Sequence, residues 1–263
     1  MPAPPATAGP QTAAPGYRAG GLPTGPPAGT DVWLIGLDTG SDPGTGCLGP
    51  AERRRAEAFP DPVAARRYTR AHSTVRTILG SYLDRDGRAL RWSTEPHGKP
   101  VFDGRLSRWQ WNLSRSGGHA LLAVSLTAPV GVDIEQVRVP AGAALALAAR
   151  FLPDEEAAQV AAQPGPQARR AAYHRLLSRK EACVKAAGGR LLTGLGIPVP
   201  VPGTVLGSRT YRGTLWTLTD LPAPPGYVAA VAAVGTARRP LRLRTWDSAL
   251  PTTEPAHDSE GPR

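Results

Sequence analysis

Cysteine is scarce in this chain. The 263 residues hold only Cys47 and Cys183, so no disulfide framework exists. No apolar run of about 18 residues occurs, which excludes a membrane-spanning helix by sequence. The amino terminus, MPAPPATAGP, carries neither a basic n-region nor an apolar h-region, so a secretory signal is absent and the cytoplasm is the expected location. Acidic residues are also few: 21 Asp and Glu stand against 31 Lys and Arg, a formal net charge of +10. That excess predicts an anionic partner, and nucleic acid is the plain candidate. Against it, no recognition helix, zinc finger or aromatic RNA-binding motif is present. The five histidines (His72, His97, His119, His174 and His257) show no metal-ligand spacing, and the tryptophans lack the spacing of a stacking platform.

What is present is enough for a folded core. The hydrophobic content is 41 %, and the length suits one large domain or two small ones. Residues 1–29 and 249–263 are Pro-, Gly-, Ala- and Thr-rich or polar, and are expected to be disordered tails. DVWLIGLD at 31–38 reads as a strand, followed by a Gly/Pro loop to about residue 50. Asp61-Pro62 is a helix start, N-cap then first turn. Val63, Tyr68, Ala71, Val75, Ile78, Leu79 and Tyr82 follow at three- and four-residue steps. Strand-like pieces come next near 89–93 and 109–113. HALLAVSL at 119–126 and VGVDIEQV at 130–137 read as a hairpin through Ala128-Pro129.

Helices are expected at 141–151, from Pro153, and over 167–186, then strands at 203–206, 211–219 and 226–234, the last two as a hairpin. The fold class expected is α+β, with two similar α/β halves at 30–127 and 128–248. Each would be a small, mainly antiparallel sheet packed on a long helix.

Three short stretches carry the chemistry. Strand alternation in GVDIE sends Val132 and Ile134 to a core and leaves Asp133 and Glu135 about 7 Å apart on the other face. In RKEACVK a helix sets Lys180 beside Glu181, with Lys185 one turn below Glu181. HGKP at 97–100 is a turn carrying Lys99, and the Ser/Arg/Gly-rich WNLSRSGG at 111–118 offers free backbone N–H groups for phosphate. Taken singly, each has a bland reading as an edge strand, a surface helix or a turn. Together, three carboxylates with lysines nearby suit Mg²⁺, with Mn²⁺ as the alternative, and a chain of phosphates.

In this order the motifs resemble the 4′-phosphopantetheinyl transferases, specifically the longer pseudo-dimeric type that serves secondary metabolism. The resemblance runs from about residue 60 to 235, through STEPHGKPVF, NLSRSGG, VGVDIE, RFLPDEE, SRKEACVKAAGG and PPGYVAAVAA. It implies a transfer of 4′-phosphopantetheine from coenzyme A to a serine of an acidic acyl or peptidyl carrier protein, by a monomer, releasing adenosine 3′,5′-bisphosphate. It also implies Mg²⁺ on Asp133, Glu135 and Glu181, and Lys180 and Lys185 on the CoA phosphates. Arg76, Lys99 and Ser114 would lie around the nucleotide, and Glu156 near the reacting centre. Glu181 is then the candidate base and Lys185 the partner of the leaving group.

Two positions depart from the family pattern. Arg115 stands where a histidine is usual, and would keep a fixed cation for the 3′-phosphate. Leu177 stands where Trp or Phe is usual. The competing readings are a basic nucleic-acid-binding protein and a catalytically idle homologue that binds CoA or a carrier.

Overall fold

The computed structural model describes residues 17–19, 21–40, 44–140, 142–207 and 211–246. The first half contains β1 (Arg18–Ala19), β2 (Thr30–Gly36), α1 (Pro50–Glu57), α2 (Pro62–Leu83), β3 (Ser93–Thr94), β4 (Pro100–Val101), β5 (Gln110–Ser116) and β6 (His119–Ser125). The second contains β7 (Val130–Gln136), α3 (Ala144–Phe151), α4 (Asp154–Ala161), α5 (Gly165–Ala186) and α6 (Leu191–Gly194). It closes with β8 (Gly203–Leu206), β9 (Leu215–Leu221), β10 (Tyr227–Val234) and β11 (Leu241–Trp246).

Side-chain alternation stacks these elements into layers. On β2, Trp33 and Ile35 pack against Val75, Ile78, Leu79 and Tyr82 of α2. Val32 and Leu34 point the other way and meet Val132 and Ile134 of β7 and Val231 of β10. Behind that second sheet, Ala230 and Ala232 lie against Ala182, Cys183 and Ala186 of α5. The order through the molecule is therefore α2, a sheet β1-β11-β2-β6-β5, a sheet β7-β10-β9-β8, and α5. Each fully buried Val, Leu or Ile in these layers contributes about 1.5–3 kcal/mol.

The fold is α+β with mixed sheets, and both long helices lie where periodicity puts them. Asp61 caps α2 by accepting from Val63 N at 2.9 Å and Ala64 N at 3.3 Å, with Pro62 in the first turn. Among the described residues no helix is long and apolar enough to cross a membrane.

Several expectations need correction. β6 and β7 are not a hairpin. β6 pairs with β2 and β5, whereas β7 pairs with β10, so Ala128-Pro129 carries the chain from one sheet to the other. Alternation told which face of each strand is buried but not which strand it joins. The second hairpin, β9 with β10, does form. β11 was not foreseen: it runs parallel to β2 and lies between β2 and β1, so a cut at residue 128 does not separate the sheets. Tyr17 is buried and Arg18–Ala19 pair with β11, so the disordered tail expected at 1–29 does not include them, and residues 1–16 lie outside the described residues. The expected tail at 249–263 lies outside the described residues. α1 follows the expected loop, in a stretch given no element by sequence, and buries only Glu52 and Ala56, a face too small to show in the periodicity.

Candidate active site

Gly131 sets the geometry. A Cβ there would lie 2.2 Å from the Ala182 carbonyl oxygen and 2.3 Å from the Ala186 nitrogen, so α5 rests directly on the strand backbone. This close seat brings the α5-facing residues of β7, Asp133 and Glu135, under Glu181 and Lys185. Asp133 is 1 % exposed. Its Oδ1 accepts from Lys185 Nζ at 2.7 Å and from Ser114 Oγ at 2.8 Å, while Oδ2 is buried without a protein partner.

The site holds more negative than positive charge. Burial, with Asp133 adding repulsion, pushes the half-buried Glu135 carboxyl up to about 7, against the pull of Lys185. Burial also raises Glu181, with Lys185 opposing and Asp133 adding. Lys185 loses by burial but is held above its ordinary value by Asp133 and Glu181. Such a face would bind a cation. Among the described residues no three His, Cys, Asp or Glu side chains close into a ready-made metal cage. An orphaned carboxylate oxygen beside two destabilised carboxyls nevertheless fits a hard divalent ion, which takes few protein oxygens and completes its shell with water and substrate phosphate.

A cleft of about 480 Å³ opens over this face, and its walls come from both halves: His72, Lys99, Arg115, Glu181, Lys185 and Arg190 among them. Lys185 spends two of its three N–H donors on Asp133 and Ser114, leaving one for a ligand. Arg115 is exposed, its guanidinium 5.0 Å from the Tyr68 ring centroid. Tyr68 in turn stacks on His72 at 4.1 Å. The HGKP turn, with Gly98 at φ +87°, is seated against the end of α5. There Lys99 Nζ donates to the Ala186 carbonyl at 2.6 Å, and burial lowers its pKa to about 8.

The structure lines one cleft with Lys99, Arg115, Glu181 and Lys185, sets Asp133 and Glu135 against Lys185 beneath it, and keeps four expected contacts out of it. Lys180 is fully buried on the other side of α5, paired with Glu156 at 2.7 Å and donating to the Ile197 carbonyl. Glu156 is buried too, and accepts from Val199 N at 2.6 Å. This pair fastens α4 and the loop after α6 to α5, and neither member reaches a cleft ligand.

Arg76 is 4 % exposed. Its Nε donates to Glu52 at 2.6 Å and one terminal nitrogen donates to the Gly87 and Leu90 carbonyls, with the guanidinium 4.2 Å from the Trp92 ring. Ser114 donates to Asp133 and accepts from Ile134 N and Lys185 Nζ, which saturates its hydroxyl and leaves nothing for a nucleotide. Sequence reasoning missed Gly131, Glu52, Asn112 and Ser116. For Gly131 the signal was available: a glycine inside a strand marks a close approach.

Residues 129–231 match the family model of the 4′-phosphopantetheinyl transferase superfamily. The 4′-phosphopantetheinyl transferase HetI of Nostoc sp. is 32 % identical over 190 residues, covering 72 % of this chain and 79 % of that protein. The 4′-phosphopantetheinyl transferase Sfp of Bacillus subtilis is 28 % identical over 152 residues, covering 58 % and 63 % respectively.

Proposed function

The chain belongs to the 4′-phosphopantetheinyl transferase family, and on that premise we propose that it transfers the 4′-phosphopantetheine of coenzyme A to a carrier-protein serine in the cleft above β7 and α5. One observation carries the placement. Lys99 and Arg115 from one half, and Glu181 and Lys185 from the other, line a single cleft over the Asp133 carboxylate.

Phosphoryl transfer asks mainly for positioning and for neutralisation of charge. Asp133, Glu135 and Glu181 would hold Mg²⁺, which supplies charge neutralisation at the pyrophosphate. The serine oxygen attacks the β-phosphorus of CoA and the bond to the bridging oxygen of the α-phosphate breaks. Adenosine 3′,5′-bisphosphate leaves. Glu181, in the cleft wall, or a water held by it, takes the serine proton. Lys185 directs its one remaining N–H at the leaving phosphate. Arg115 and Lys99 steady the nucleotide end. The matched order of the layers about the two sheets supports reading the halves as related by a pseudo-two-fold, and the protein as acting as a single chain.

Mass spectrometry of an apo carrier protein incubated with CoA, Mg²⁺ and this protein tests the reading. A gain of one phosphopantetheine, lost on chelation, is expected. An unchanged carrier, together with steeply salt-dependent duplex binding and no CoA binding, would replace it with the nucleic-acid reading.

A further inference from the structure

β7 is an edge strand: β10 takes one side of it and, among the described residues, no strand pairs with the other. An open edge leaves alternate N–H groups without backbone partners. Here the N–H groups of Val132, Ile134 and Gln136 donate instead to side chains of β5: Asn112 Oδ1 at 3.0 Å, Ser114 Oγ at 3.3 Å and Ser116 Oγ at 3.0 Å. The three acceptors alternate along β5, so all three leave the same face of that strand. β5 is itself the edge of the other sheet. Its side chains therefore do for β7 what a neighbouring backbone would, with a two-residue repeat, across the seam between the sheets.

We propose that Asn112, Ser114 and Ser116 form a register ladder whose role in the transfer is to position Asp133 and Glu135. The proposal rests on the transferase reading above. Each acid sits between two rungs: Asp133 between the amides of Val132 and Ile134, Glu135 between those of Ile134 and Gln136. A one-residue slip of β7 would turn both carboxylates into the apolar layer between the sheets and present Val132 and Ile134 to α5. Backbone pairing with β10 resists that slip from one side only. The ladder resists it from the side on which the cleft is built. Ser114 is the central rung and also holds Asp133 directly, so the outer rungs are the cleaner probes. Ser116 is the cleanest, because it accepts from Gln136 and stands outside the cleft wall.

The test compares wild type, Ser116→Ala and Ser116→Thr in amide hydrogen exchange, in Mn²⁺ binding by calorimetry with CoA present, and in steady-state transfer. Loss of one net hydrogen bond predicts about five- to ten-fold faster exchange at Gln136 in Ser116→Ala. Exchange in α2 should stay unchanged. Mn²⁺ affinity and kcat should fall together several-fold with the KM for CoA held, and Ser116→Thr, which keeps the hydroxyl, should restore all three. Wild-type exchange at Gln136, or wild-type Mn²⁺ affinity, in Ser116→Ala would overturn the proposal. So would a uniform rise in exchange across both sheets, which is the mark of a merely structural residue. If wild type modifies no carrier, the transferase reading fails, while exchange and Mn²⁺ binding still report on the ladder.

Discussion

α2 and α5 are both 22-residue helices laid on a sheet, yet one seat is filled and the other is open. When the helices are aligned end to end, Ala71, Val75, Ile78 and Tyr82 fall against His174, Ser178, Glu181 and Lys185. With β2 and β7 aligned in the same way, Trp33 and Ile35 fall against Asp133 and Glu135. In the first half this stripe is an apolar layer, in which Trp33 Nε1 donates to Tyr82 Oη at 3.0 Å and Tyr82 donates to Asp31 at 2.5 Å. In the second half the same stripe carries the acids and the lysine. The second half instead packs a layer of alanines close through Gly131 and buries an ion pair on the far side of the helix. One frame thus holds an apolar layer in one half and, on the proposed function, the chemistry in the other.

If that division holds, the largest stability effects in the second half lie away from the cleft. Lys180→Met leaves the Glu156 charge buried and unpaired, and should cost about 3–5 kcal/mol in urea unfolding, with Lys180→Met/Glu156→Leu recovering much of it. Full stability in the single variant would break the comparison. Gly131→Ala comes next. The methyl meets helix backbone that cannot rotate away, so α5 must lift from β7, at a cost of about 1–3 kcal/mol as an overpacking change. Transfer should fall further than stability accounts for, because Glu181 and Lys185 move with the helix. A crystal structure with α5 unmoved would contradict this.

Arg115→Ala probes the wall contributed by the first half. Losing a charged hydrogen bond costs about 1.5–3 kcal/mol, which predicts a roughly ten- to hundred-fold higher KM for CoA with a smaller change in kcat. Wild type should discriminate strongly against 3′-dephospho-CoA and the variant much less. Equal discrimination by both would assign Arg115 to another surface.

The smallest effect concerns His174, whose Nε2 accepts from the N–H groups of Arg138 and Val139 at 3.2 Å each. Protonation would oppose an N–H to those two donors, and burial, with Arg170 nearby, holds the imidazole pKa below its ordinary value. The unfolded chain titrates near 6.5 and so binds more protons than the folded one just below that pH. Stability should therefore be complete above about pH 6.5 and fall as pH drops through the window beneath it. His174→Phe should flatten that acid limb relative to wild type in paired unfolding curves. Unchanged curvature would remove His174 from this role.

Much of this was legible in the sequence because it is local. The Asp61-Pro62 cap, the 3.6-residue stripe of α2 and the two-residue alternation of GVDIE each state their own geometry. Pairing is not local, which is why β6 and β7 passed for a hairpin and why β11, far along the chain, was not seen to complete the first sheet. The same limit explains Lys180. It adjoins Glu181 in sequence, but consecutive helical residues point about 100° apart, so one enters the cleft and the other the core. Arg76 was misread for a related reason: its partner Glu52 stands on a short polar helix with no apolar stripe to announce it.

The most direct test of the account is turnover of Asp133→Ala on an apo carrier in saturating Mg²⁺, with the melting temperature measured on the same sample. Asp133 faces away from the Val132 and Ile134 layer and holds Lys185 rather than the core. Transfer should be abolished while the melting temperature stays within a few degrees of wild type. Wild-type turnover in a folded Asp133→Ala protein would contradict the site.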